Sequence, residues 1–419
     1  MRRAGLAWRE ELAAGIVANF GEVDVLELIA ERYLDASKRT LQALRFLAQQ
    51  RPLWIHSTSL GLASCSQVEQ RRLDRLARLI DTIEPAGWSE HLAFVRGGGR
   101  EIGHLASPPR NASTLDGLCR NLALARRATG TLPILENVAS LVDPPFSIWS
   151  ETEWMAQIAN ATEAGFLLDL HNVHTNATNF GEDAGDLIAA IPSGRIHAIH
   201  LAGGRIIDGK SGPRILDDHR SEVPESVFSL LEKVARRPDS FDIIIERDGE
   251  FPPVEQLLEE VRRARQIASQ NSDPMAREDL RSFPAGACTT IGFSFDGREC
   301  EDLLAEIFTD QTVLDRFTAD PSRMIASRGI RFDSAAPIDI AGIRMAALSF
   351  ARKRARIESH AQAKKSRSSW TKIRGAIKRA LETTVRGLGP REVPRMPATP
   401  PARNDMRACL PQSKANVES

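Results

Sequence analysis

The sequence predicts an α/β protein, a TIM-type (β/α)8 barrel with a small C-terminal helical appendage and a disordered tail. Short apolar runs alternate with amphipathic stretches of helical period from Val23 to about Ser269, the pattern of a parallel sheet covered by helices. Counting "AGLAW" near the N-terminus as a short first strand brings the runs to eight, the number that closes such a barrel. The polar residues of these runs fall at their ends, where a barrel of this type gathers its chemistry.

After "AGLAW" the strand candidates are "VDVLELI" at Val23, "PLWIHST" at Pro52, "GWSEHLAF" at Gly87 and "LPILENV" at Leu132. "GFLLDLHNV" at Gly165, "IHAIHLAG" at Ile196 and "FDIIIERD" at Phe241 complete the set. Between them Glu69 to Ile83, Leu115 to Thr129 and Glu225 to Arg236 repeat apolar residues three or four apart, which predicts helices.

Composition sets the frame. With 419 residues and 42% hydrophobic content, the chain can build one large domain of about 250 residues and a smaller appendage. Its 55 basic and 55 acidic side chains cancel, so no global field draws it to nucleic acid or an anionic membrane. No stretch approaches the ~20 apolar residues of a membrane span. Arg9, Glu10 and Glu11 stand where a signal peptide needs an apolar core, which predicts a cytoplasmic protein. The five cysteines are scattered without a CxxC pair, which suggests neither a disulfide framework nor a thiolate zinc site.

The expected organisation is a barrel over residues 1–270, a linker over 271–299 and a small helical module over 300–350. A basic helix and a Pro-rich disordered tail follow over 351–419. Within the module Asp320-Pro321 reads as a helix break. The basic stretch from Arg352 reads as solvated helix rather than a nucleic-acid surface, because only Trp370 offers a base a stacking face.

Eight of the nine histidines precede residue 220. His56, His91, Glu136, Asp169, His171, His200 and Glu246 come at or near the ends of strand runs, and "DDH" places Asp217 and His219 two apart in the loop that follows "IHAIHLAG". Period-two alternation puts Asp169 and His171 on one face and sets His197 opposite His200, which removes His197 from consideration. Each residue taken alone reads as a satisfied hydrogen-bonding group. Taken together, four carboxylates and five imidazoles in one pocket point to metal, and a donor set of imidazole and carboxylate suits iron, manganese or zinc. Metal-free acid–base catalysis by a pair such as Glu136 and Glu246 leaves the histidines unexplained.

The series "WIHSTSLGLAS", "SEHLAF", "ILENVAS", "LLDLHNVHTNATNFG", "IHLAG", "DDH" and "IIERD" resembles the multinuclear non-heme iron-dependent oxidative enzymes. That family contains the oxazolone-forming enzyme of methanobactin biosynthesis and the carbon-excising enzyme of 3-thiaglutamate biosynthesis. The resemblance covers about residues 5 to 268. It implies a barrel with about two to three iron ions (Fe2+/Fe3+) and dioxygen as co-substrate. It further implies a cysteine-containing precursor peptide as substrate, with a partner or recognition protein assisting.

By position, the resemblance makes Glu136 a bridging carboxylate, with His56 and His91 at one iron and Asp169, His200 and Glu246 at its neighbour. His171, Asp217 and His219 would hold a third, and Glu136, Asp169, His200 and Glu246 would be the catalytic set. Two departures stand out: His171 replaces the family's usual Asn, and "HLAGG" replaces its "HLAGH", so that Gly204 removes an imidazole. The function expected is iron- and dioxygen-dependent oxidation of a peptide at cysteine in ribosomal peptide natural-product biosynthesis. The rivals are a divalent-metal barrel hydrolase or isomerase acting on sugars or phosphodiesters, and a catalytically silent metal-binding protein.

Overall fold

The structure is a computed structural model that describes residues 2–209, 212–270, 297–330 and 338–366. The expected linker up to residue 296 and the tail from residue 367 lie outside the described residues.

Among the described residues twelve strands occur in chain order. They are β1 (Arg3–Ala7), β2 (Leu26–Ile29), β3 (Leu53–Ser57), β4 (Gly87–His91), β5 (Phe94–Gly97), β6 (Arg100–Ala106), β7 (Ile134–Glu136), β8 (Phe166–Asp169), β9 (Ile196–Leu201), β10 (Gly203–Gly209), β11 (Gly212–Ser221) and β12 (Asp242–Ile245). Eight of them close a parallel barrel in the order β1-β12-β9-β8-β7-β4-β3-β2. The remaining four form two antiparallel hairpins, β5–β6 after β4 and β10–β11 after β9. All eight expected runs are barrel strands, "AGLAW" included.

The helices Gln70–Ile83, Ala112–Thr129 and Glu225–Ala235 match the periodic stretches closely. Local chemistry sets several helix ends. The Asn111 side chain accepts from the Thr114 amide to start one helix, and Ser150 with Glu153 forms a capping box at another.

One expectation about strand geometry is corrected. Period-two alternation from Asp169 to His171 does not hold, because β8 stops at Asp169 and His171 lies in the first turn of the helix Leu170–Phe180. Asp169 is that helix's N-cap, accepting from the Asn172 amide at 2.8 Å. His171 reaches the same end of the barrel by helical rather than strand geometry.

The barrel interior is a plug beneath a polar layer. Ala7, Val25 and Ile244 form one small apolar cluster and Ile134, Leu167 and Ala198 another, with Trp54 packed against both. A Cβ at Gly87 would lie 2.4 Å from the Trp54 ring, so glycine makes the room this indole needs. Two residues further along each strand the chain presents Arg9, Glu27, His56, Glu136, Asp169, His200 and Glu246, all buried. Alternation therefore stacks an apolar layer under a charged one.

The C-terminal helices Gly297–Thr309, Gln311–Ala319, Pro321–Ser327 and Ile340–Ser366 build a second apolar core. Asp320 ends one helix and caps the next, placing the expected break at Asp320-Pro321. This core includes Phe94, Ile102, Ala106 and Phe146 from the β5–β6 hairpin and the barrel loops. Glu301, 0% exposed, accepts from Ser64 Oγ at 2.6 Å and from the Cys65 amide at 2.7 Å. The last helix runs as one element through residue 350 and carries the start of the basic stretch.

Candidate metal centre

All nine residues singled out from the sequence lie together at the C-terminal mouth of the barrel. Their donor atoms fall into groups close enough to share an ion: His56, His91 and Glu136; Glu136, Asp169, His200 and Glu246; and His171, Asp217 and His219. A fourth combines His219 and Glu246 with Asp248, which the sequence reading did not include.

Glu136 joins the first two groups. Its Oε2 lies 3.1 Å from His91 Nε2 and 3.3 Å from His56 Nε2, and its Oε1 lies 3.2 Å from His200 Nδ1. His200 Nδ1 is also 3.2 Å from Glu246 Oε2 and 4.0 Å from Asp169 Oδ2. In the third group Asp217 Oδ1 is 2.9 Å from His171 Nδ1 and 2.7 Å from His219 Nε2. His219 faces the second group as well, with Nδ1 3.1 Å from Glu246 Oε2 and Nε2 3.5 Å from Asp169 Oδ2. It adopts a left-handed backbone, φ 50°, which is uncommon away from glycine and clusters at functional sites.

A second layer orients these groups. His200 Nε2 donates to Glu27 Oε2 at 3.0 Å, leaving Nδ1 toward the cluster, and His56 Nδ1 pairs with Ser89 Oγ at 2.8 Å. Arg9, fully buried, bonds Glu246 Oε1 at 2.8 Å and Asp248 Oδ1 at 2.7 Å. Asn137 brackets Asp169 from outside, donating to its carbonyl at 3.0 Å and accepting from its amide at 2.9 Å. Glu90 turns away from the cluster and accepts from Ser57 Oγ and the Leu60 amide. His197 is exposed at the start of β9, and His174 pairs with Ser226 away from the site.

Arg9, Glu27, Ser89 and Asp248 are the participants sequence reasoning passed over. For Glu27 a signal existed: it ends the inward register of "VDVLELI" as His56 ends that of "PLWIH".

Most of the carboxylates and imidazoles of the site hold one another in their charged forms. Burial opposes charge at Glu136, yet His91, His200 and His56 hold its carboxyl down to about 2. Burial pushes Asp169 up to about 6, with Glu136 and Asp217 adding to it against His219. Burial would lower His91, but Glu136 and Glu90 raise it to about 9. In the same balance His200 and His219 stand well above the ordinary imidazole range, and Glu246 and Asp217 well below the carboxylate range. Among the described residues, Glu136 Oε2, Asp169 Oδ2 and His219 Nε2 are buried with ion-pair neighbours at 2.7–3.5 Å but make no hydrogen bond of good geometry. Such orphans cost free energy unless something else satisfies them. Three orphaned donors on imidazole and carboxylate, all facing the cluster, fit metal ions.

Gly204 lies against this centre. A Cβ there would stand 2.7 Å from His171 Cε1 and 2.4 Å from the Leu216 carbonyl oxygen. The imidazole at position 171 therefore occupies space that a side chain at position 204 would need.

The chain is similar to several known proteins. The chain is 34% identical over 245 residues to a UPF0276 protein of Anaeromyxobacter, covering 58% of this chain and 85% of that one. It is 32% identical over 249 residues to a UPF0276 protein of Rhizorhabdus wittichii, covering 59% and 87%. Among solved structures it is similar to D-psicose 3-epimerase in the presence of D-fructose, with 11% identity, TM-score 0.42 and coverage of 64% and 99%. A D-tagatose 3-epimerase-like protein is similar at 15% identity, TM-score 0.44 and coverage of 65% and 100%. The family model described as the RiPP precursor modification enzyme MbnB/TglH/ChrH matches residues 3–269, the whole barrel with every residue of the candidate metal centre, and the chain belongs to that family.

Proposed function

We propose that this protein is a multinuclear non-heme iron enzyme that oxidises a cysteine-containing precursor peptide with dioxygen. The observation that carries the reading is Glu136, one carboxylate shared between two groups of potential ligands, with a third group adjoining through His219. His56, His91 and Glu136 would hold one iron; Glu136, Asp169, His200 and Glu246 a second; His171, Asp217 and His219 a third. Bound there, iron supplies the redox capacity that the protein's own side chains lack.

The chain's residues prepare the site. Glu27 and Ser89 orient the imidazoles of His200 and His56, so that these ligands need little rearrangement on loading. Arg9 offsets the negative charge of Glu246 and Asp248 by bonding both. The apolar plug around Trp54 closes the barrel below the site and keeps water from that side. Asp217, its side chain 25% exposed, marks where substrate meets the centre.

The test is elemental analysis of protein purified without oxygen, followed by single-turnover oxygen consumption with a cysteine peptide encoded beside the gene. About two or more irons per chain and consumption dependent on the thiol support the reading. Iron at or below about one equivalent sinks the multinuclear assignment. Turnover without oxygen on zinc, magnesium or manganese would assign the barrel to hydrolysis or isomerisation.

A further inference from the structure

A partly open cleft of about 50 Å³ lies between the barrel mouth and the C-terminal helices. His104, Ser140 and Asp217 line it from the barrel side, and Phe308, Phe350 and Lys353 from the helices. Asp217 lines this cleft and also belongs to the group with His171 and His219, so the cleft reaches the edge of the candidate metal centre.

Lys353 is held in a defined place there. Its Nζ donates to His104 Nε2 at 2.9 Å. The His104 ring meets Phe350 edge-on at 4.7 Å, and Phe350 meets Phe308 likewise at 4.9 Å. The next residue, Arg354, donates from Nη1 to the Ile102 carbonyl at 2.7 Å and lies over Gly103, where a Cβ would come within 2.4 Å of its Cγ. The helix is therefore clamped on both sides of the lysine.

Among the described residues no carboxylate lies within 4.0 Å of Lys353 Nζ, and Asp217, Asp248 and Asp218 act on it only from a distance. Burial lowers both Lys353 and His104, which leaves the imidazole neutral and able to accept. A cation in a concave, partly apolar wall, whose one hydrogen bond among the described residues goes to a neutral imidazole, is chemically suited to an anion.

We propose that this cleft is the peptide's route to the metal centre and that Lys353, oriented by His104, binds a carboxylate of the peptide, from an Asp or Glu side chain or a free C-terminus. The C-terminal helices thus complete the substrate site in cis. The identity of the ligand rests on the peptide-modifying reading above; the cation site itself does not depend on iron.

Calorimetry on the full chain, as purified and under argon so that no turnover occurs, tests it. Three peptides of one length, each with a single cysteine, are compared. One carries Asp with an amidated C-terminus, one carries Asn in its place, and one carries Asn with a free C-terminus. One or both carboxylate peptides should bind on the order of tenfold tighter than the neutral peptide. That preference should vanish in Lys353→Gln and persist in Lys353→Arg, which keeps the charge if the glutamine variant folds poorly. The arm that shows the preference identifies the source of the carboxylate. Equal affinity for all three, no binding by any at about 1 mM, or a preference unchanged in Lys353→Gln overturns the assignment. Any thiol–metal contact is common to all three peptides, so their difference reports on Lys353 alone. Metal content measured on the same samples reports separately on the iron reading.

Discussion

Glu136 meets three imidazoles within 3.3 Å, more than any other carboxylate in the barrel mouth. Replacing it by alanine should therefore release more metal than replacing any single histidine, because one side chain serves two positions. Metal content of Glu136→Ala beside His56→Ala and His171→Ala decides this, with equal losses as the contrary result. His171 separates ligation from a simple hydrogen bond to Asp217. His171→Ala should lower the iron count by about one and leave the Glu136 pair loaded, whereas His171→Asn should weaken only retention during dialysis. Unchanged iron in His171→Ala would reduce this histidine to a partner of Asp217. The same space is probed from the other side by Gly204→Ala. Its new methyl would press on the His171 ring and the Leu216 carbonyl, costing about 1–3 kcal/mol of stability and loosening any ion that His171 helps to hold. A melting temperature and metal content equal to wild type would show that the strand yields without consequence.

Between elements, the joint that matters most is Glu301 on the helix Gly297–Thr309. Burial raises its carboxyl to about 7 against an ordinary 4.5, while Ser64 and Cys65 donate to it and oppose the shift. The docked helix thus keeps a proton that the undocked chain has released between about pH 4.5 and 7. Docking is strongest below that window, weakens as pH rises through it, and levels off above, a change of roughly 3 kcal/mol at most. Hydrogen exchange in this helix, corrected for intrinsic rates, should show protection falling across that range in wild type and staying flat in Glu301→Gln. A flat profile in wild type would mean that Ser64 and Cys65 hold the carboxylate ionised throughout.

At the scale of the whole molecule, every residue of the candidate metal centre precedes residue 270, whereas Lys353 and the helical side of the cleft wall follow it. Truncation after Gln270 should leave the barrel's metal content near that of the full chain and abolish the carboxylate preference, at the cost of exposing Phe94, Ile102 and Phe146 to solvent. Loss of metal or unfolding on truncation would make the C-terminal helices part of the barrel's own core. What the sequence determined by itself was local in origin. Side-chain alternation at period two and helical repetition at 3.6 mark out the eight runs and place His56, Glu136, Asp169, His200 and Glu246 at their inward ends. Those signals depend only on near neighbours and survive without knowledge of closure. Even they failed where one geometry gave way to another inside a run, as between Asp169 and His171. Tertiary structure alone decided what closure brings together. Glu27 finds His200 173 residues away, Arg9 finds Glu246 237 away, and Lys353 finds His104 249 away. Such pairings follow from the barrel's circular strand order and from the docking of a second core, and no local period carries information about either.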